Sequence, residues 1–172
     1  MMTVQFPILK KENVNLNSER GLLYEKASFN KLDIDCFFTL DEYQIIDDFI
    51  YADISGIAKV CGYQILFFYI LGHVEALSLE DVVENTFLRD KANQILTYLG
   101  FDFKMGHPFE LTDEFNHNFK FKDSINDDEV RYYYDFNEML IVLGINWQGF
   151  LVSFEMVKDK AIIHNRLENF YS

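Results

Sequence analysis

Cysteine, proline and glycine are all scarce in this 172-residue chain: two Cys, two Pro and eight Gly. Cys36 and Cys61 sit in apolar surroundings and read as buried free thiols. A chain of this length has no need of a disulfide staple, and Met1–Lys11 lack the long apolar core of an export signal. With only Pro7 and Pro108, and no Gly/Ser-rich or low-complexity stretch, no linker divides the sequence. Residues 1–172 are therefore expected to form a single globular domain. None of the glycines forms a phosphate-binding loop, no serine lies in a nucleophile elbow, and neither cysteine lies in a nucleophile signature. Cations are also in deficit. Fifteen Lys and Arg face 28 Asp and Glu, for a net charge of −13 and a pI near 4.6. Such a field repels nucleic-acid backbones, and Lys10–Lys11 and Lys120–Lys122 are too short to reverse it, so no direct nucleic-acid binding is expected. No membrane span is expected either. The most hydrophobic stretch, Val60–Val74, is free of Asp, Glu, Lys and Arg but falls short of the roughly 20 residues a spanning helix needs. The predicted location is the cytoplasm.

What the chain has in quantity is buriable surface. Apolar residues make up 49%, aromatics 17%, and there are 18 Phe and 10 Tyr. Surface scaling for this mass predicts that about 70% of the unfolded surface is buried, enough for a proper core. The acid is unevenly spread. Residues 1–31 are net +2, whereas residues 32–90 carry twelve acids against Lys59 and Arg89 alone.

Early strands are predicted over Val4–Leu9, at an edge because of Pro7, and over Lys31–Leu40. Thr39 with Glu42 forms a capping-box pattern that predicts a helix from about Asp41 to Ile54. Its apolar stripe is Ile46, Phe49, Ile50 and Ile54, and its acidic face is Asp41, Gln44, Asp47 and Asp48. Residues 57–72, apolar all round, read as a buried helix by length, with a strand as the alternative. A second cap pattern at Ser78 and Asp81 opens a helix with stripe Leu79, Val82, Val83 and Phe87. A rotated stripe, Leu88, Ala92, Ile95, Leu96 and Leu99, implies a break near 85–90, and Gly100 closes the helix.

Beyond Phe101 the apolar period changes from helical to two. Phe115, His117, Phe119 and Phe121 predict one strand face, and residues 123–128 a polar turn. Residues 129–136 return with Tyr132, Tyr134 and Phe136 opposite Arg131, Tyr133 and Asp135. Met139–Ile145 and Gln148–Val157 predict another hairpin around Asn146 and Gly149. Asp159 and Lys160 turn into Ala161–His164, and Asn165–Tyr171 reads as a short helix. The fold class that follows is α+β: a mostly antiparallel sheet with the central helices packed on one face.

Four histidines and many carboxylates raise the question of a metal. The closest His pair, His107 and His117, is ten residues apart, and the acids at 123–129 lack the loop glycine of an EF-hand, so no metal and no cofactor are expected. Two regions combine acids with tyrosine: Asp41, Asp47, Asp48 and Tyr51, and the hairpin with Asp127, Asp128, Glu129, Tyr132, Tyr133 and Tyr134. Clustered acids suit a basic partner, and tyrosine is enriched at binding hot spots. The expected function is an acidic protein-binding domain, an inhibitor or immunity-type protein that occludes a basic site on a partner such as a toxin or nuclease. Asp41, Asp47, Asp48, Asp127, Asp128 and Glu129 would stand in for phosphate, with Tyr132 and Tyr134 as anchors. In composition the chain resembles bacterial immunity proteins and phage-type inhibitors, which are small, acidic and cytosolic. The alternative is a small-ligand-binding protein or hydrolytic enzyme with a pocket between helices and sheet, using His107, His117 or a carboxylate as acid or base.

Overall fold

In the computed structural model the described residues are 23–25, 40–48, 53–60, 62–70, 73–110 and 113–168. They form a mixed α+β structure built on antiparallel strand pairs and fall into two compact units, residues 1–77 with 97–101, and residues 78–96 with 102–172. The predicted strand at Val4–Leu9, nearly all of that at Lys31–Leu40, and Cys36 and Cys61 lie outside the described residues.

The first unit holds β1 (Leu23–Glu25), β2 (Leu40–Asp48), β3 (Asp53–Val60) and β4 (Tyr63–Ile70), hydrogen-bonded in that order and antiparallel throughout. The helix predicted from Asp41 is thus a strand instead. Two register shifts explain the misreading. Between Leu40 and Glu42 and between Ile45 and Asp47 the pairing with β3 skips one residue, so Asp41 and Ile46 interrupt the period of two. The remaining apolar spacing then imitates a helical stripe. An N-cap is worth about 1 kcal/mol, too little to outweigh cross-strand pairing along nine residues. Residues 57–60 and 63–70 likewise belong to strands, the alternative to the buried helix: β3 pairs with β4 without interruption from Asp53↔Ile70 to Val60↔Tyr63, and Gly62 takes a φ of 81° in the turn. A strand apolar on both faces has no period to distinguish it from a buried helix.

β5 (His73–Glu80) continues past Ser78, where a helix start was predicted. The helix, α1 (Thr86–Leu99), begins about two turns later, capped by Asn85, whose Oδ1 accepts the Leu88 N–H at 3.1 Å. The expected break near 85–90 is this cap. Ala92, Ile95, Leu96 and Leu99 of the second stripe are buried, whereas Val83 and Phe87 of the first stay exposed. Gly100, with a φ of 98°, ends the helix as predicted.

The second unit carries a sheet running from the Ser78–Glu80 end of β5 through β9 (Leu151–Val157), β8 (Leu140–Asn146) and β7 (Glu129–Asp135) to β6 (Phe119–Ser124). The 129–136 strand and the hairpin of β8 with β9 fall where the alternation placed them. Ala161–His164 lies in a helix, α3 (Lys160–Glu168), capped by Asp159 Oδ1 on the Ile162 N–H at 2.8 Å. One strand is shorter than predicted. Asp113–His117 is a helical turn, α2, and Phe115 is buried from it against Phe103, Tyr134 and Phe136, with ring centroids 5.1–5.6 Å apart. A second correction concerns faces. A register shift at Lys120 puts Phe119 beside Tyr132 and Tyr134, whereas Phe121 stacks on Tyr133 from the opposite side.

Another bulge ties this unit together. Between Gly144 and Ile145 the β8–β9 pairing skips Val152, whose carbonyl instead accepts the Asp81 N–H at 2.8 Å. Asp81, its side chain only 3% exposed, receives Arg89 Nε at 2.7 Å and Nη2 at 2.9 Å, so the end of β5 is fastened to α1. That hydrogen-bonded pairing raises the Arg89 pKa above its ordinary value. Gly106 lies under the guanidinium with a φ of 73°, where a β-carbon would come within 2.6 Å of it. Its N–H donates to Leu151 at 2.7 Å, adding the loop after α1 to the same junction. Replacing Asp81 by Ala leaves a partly buried guanidinium unpaired. The expected loss is about 2 kcal/mol, below the range for a fully buried pair because the Arg89 side chain is 23% exposed. Urea denaturation checks this, and an unchanged midpoint would remove the clamp from the account.

Candidate interaction site

The register of the second sheet sorts side chains onto two faces. Tyr134↔Ile141, Tyr132↔Leu143 and Val130↔Ile145 lie on one, continued across β9 by Met156, Phe154 and Leu151. Tyr133↔Val142 and Arg131↔Gly144, continued by Glu155 and Ser153, lie on the other. The first face is apolar core. The second is polar: Ser153 Oγ donates to Glu129 Oε1 at 2.9 Å, Arg131 Nε reaches the same oxygen at 3.3 Å, and Arg166 of α3 pairs with Glu155 at 2.5 Å. Gly144 makes room for this. A β-carbon there would overlap both Ser153 Oγ and Glu129 Oε1.

Ser78, Glu80, Arg131, Val142, Ser153 and Glu155 line a cavity of about 50 Å³ on this face. That volume holds a few waters, against the several hundred Å³ typical of an organic-ligand site. Neither histidine named for acid–base work lines it. His107 is exposed in the loop after α1, and His117 Nδ1 lies 2.6 Å from the Asp113 carbonyl of its own helical turn, where it donates. Among the described residues no group of three or more His, Cys, Asp or Glu side chains is arranged to hold a metal.

The other distinctive construction is at the turn end of the two hairpins. Between β6 and β7, the Ile125 N–H donates to the Glu129 carbonyl at 3.1 Å and the Asp128 N–H to Asn126 Oδ1 at 2.8 Å. Between β8 and β9, Asn146 Oδ1 accepts the Gln148 and Phe150 N–H groups at 3.0 and 2.9 Å, and Gly149 supplies the positive φ of 84°. The turns are joined by the Trp147 N–H, which donates to the Asp128 carbonyl at 3.2 Å. Trp147 is 76% exposed and Ile125 44% exposed, with Asp127 and Asp128 exposed beside them.

The residues predicted for partner binding divide accordingly. Asp127 and Asp128 stand in the exposed turn. Glu129 is turned into the polar sheet face by Ser153 and Arg131. Tyr132 is half-buried near Phe119, and Tyr134, 1% exposed, is in the core against Phe115. Asp41, Asp47 and Asp48 belong to β2 in the other unit, Asp47 opposite Ser55, Asp48 opposite Ile54 and Asp41 at the first register shift. Trp147 escaped the sequence reading. Its signal was available: the only tryptophan in the chain stands in Asn146-Trp147-Gln148-Gly149, a turn sequence where an indole has no core to enter. No protein family matches this chain, and no curated protein or solved structure shows significant similarity to it.

Two outcomes test this geometry. Gly144→Ala forces Ser153 and Glu129 apart, and the expected loss is the value of their hydrogen bond, about 1 kcal/mol. In a Ser153→Ala background the same substitution costs less, so a double-mutant cycle reads the coupling, and strict additivity would refute it. The second concerns pH. Burial raises the pKa of Tyr134, with Tyr132 adding to the effect, and burial likewise raises that of Tyr133. Both phenols are therefore held neutral in the folded chain. Their stabilisation is complete below the unfolded pKa of about 10 and is lost as pH rises toward the folded values, at up to about 1.4 kcal/mol per pH unit for each group. Tyr134→Phe should flatten alkaline unfolding followed by circular dichroism, and parallel losses in the two proteins would contradict this.

Proposed function

We propose that this chain is an acidic protein-binding domain of the inhibitor or immunity type, which occludes a basic site on a partner protein. A toxin or nuclease, whose site is built to hold phosphate, is the kind of partner that fits. The observation that carries the reading is the exposed Trp147, fixed by a backbone hydrogen bond to an acidic turn on a chain of net charge −13. Tryptophan is the residue type most enriched at binding hot spots, and a negative surface speeds encounter with a basic partner. The contribution of Asp41, Asp47, Asp48, Glu129 and Tyr132 to partner binding belongs to the same proposal, as do a cytoplasmic location, a single-domain organisation and helices covering one face of the sheet, whereas Tyr134, buried in the core, is no anchor for a partner. No helix among the described residues is long and apolar enough to cross a membrane. The alternative reading, a hydrolase or small-ligand protein, draws no support from the polar cavity among the described residues, which has room for only a few waters.

Affinity capture on the immobilised chain, at low and high salt, tests the proposal. The expected result is a basic protein retained at low salt, lost from the Asp127→Asn, Asp128→Asn, Trp147→Ala variant, and reduced in its own activity by the wild-type chain. Capture of no basic protein under either condition, or of one whose activity is untouched, would overturn the inhibitor reading.

A further inference from the structure

The turn end of the second unit has a chemistry more specific than negative charge. Trp147 shows no ring contact and no side-chain hydrogen bond among the described residues, and Asp127 and Asp128 show no ion pair there. No Lys or Arg occurs in residues 125–129 or 146–150. The nearest cation along β7, Arg131, is engaged by Glu129. Among the described residues, an exposed indole and two carboxylates without an ion pair therefore share one short rim that carries no Lys or Arg of its own. Its backbone is pinned: Asn146 Oδ1 holds two N–H groups of the Trp147 turn, and Trp147 itself is bonded to Asp128. Little backbone ordering is left for binding to supply.

We propose that this rim, Trp147 with Asp127 and Asp128, is a recognition site for an arginine side chain of a partner protein. The inference rests on the protein-binding reading above and names the group recognised. A guanidinium is planar and weakly hydrated, so it stacks on an indole face while its edge donates to carboxylates. An ammonium is a compact, strongly hydrated point charge that gains from the carboxylates alone and benefits less from the ring. Charge complementarity selects a cation, and the ring selects arginine over lysine. A phosphate or an acidic peptide is repelled by the same two aspartates.

Because Trp147 is the only tryptophan, its emission reports this site in the intact chain. The probes are an oligo-arginine peptide and an oligo-lysine peptide of equal length and charge, titrated at fixed salt, with affinities measured in parallel by calorimetry. The expected result is a saturable change in indole emission with the arginine peptide, and binding several-fold tighter than that of the lysine peptide. Trp147→Ala, exposed enough to leave the fold intact by circular dichroism, should weaken the arginine peptide roughly tenfold and remove the preference. Asp127→Asn with Asp128→Asn should weaken both peptides. Equal affinity for the two peptides, with no calorimetric effect of Trp147→Ala, would overturn the arginine site while leaving the acidic-surface reading standing. Failure of the arginine peptide to bind would also overturn it. The native-partner capture then decides the broader reading independently.

Discussion

The pairing of β7 with β8 fixes nearly everything else in the second unit. With Tyr133 opposite Val142 and Arg131 opposite Gly144, the strand delivers Tyr132 and Tyr134 to the apolar side and Glu129, Arg131 and Tyr133 to the polar side. A slip of one residue would exchange the two sets. It would bury an ion pair among Phe115, Phe119 and Phe154, and would expose the most completely buried tyrosine of the sheet. Desolvating that pair, together with exposing the apolar set, disfavours the alternative. The register is consequently the constraint from which both the core and the turn geometry follow.

Bulges then adjust what the register alone would give. Val152, excluded from the β8–β9 ladder, turns its carbonyl to Asp81 and so connects the sheet to the Asp81–Arg89 junction and to α1. Lys120, excluded from the β6–β7 ladder, separates Phe119 from Phe121 and lets one ring join each face. Each extra residue serves packing on a sheet that would otherwise repeat monotonously. At the far end, the same hairpins bring Trp147 and Asp128 into backbone contact although they are distant in sequence, and this contact turns two ordinary turns into one surface.

Legibility in the sequence followed the regularity of the pairing. The β7 strand and the β8–β9 hairpin were readable because their alternation and their turn residues, Asn146 and Gly149, agreed. The second stripe of α1 and its Gly100 terminus were readable for the same reason. β2 was misread because two register shifts break its period, and β4 stayed open between helix and strand because its sequence has no period of two. Phe115 was assigned to a strand because local alternation cannot reveal that a cluster of Phe103, Tyr134 and Phe136 will draw it into a helical turn. Of the interaction site, the aspartates at 127 and 128 were recognisable as an exposed acidic turn. The turn sequence around Trp147 signals its exposure, but nothing local says which turn lies beside it.

The amino-acid sequence by itself determined the net charge, the capacity to bury a large aromatic core, the hairpins of the C-terminal half and the absence of phosphate-loop and nucleophile-elbow motifs. Those properties depend on composition or on neighbours a few residues apart. Tertiary structure alone decided that Glu129 bonds Ser153 while Asp127 and Asp128 stay outside, that Tyr134 is core, and that the lone tryptophan stands exposed beside an acidic turn. These outcomes depend on strand register and on contacts between residues roughly twenty positions apart, which local propensity does not encode.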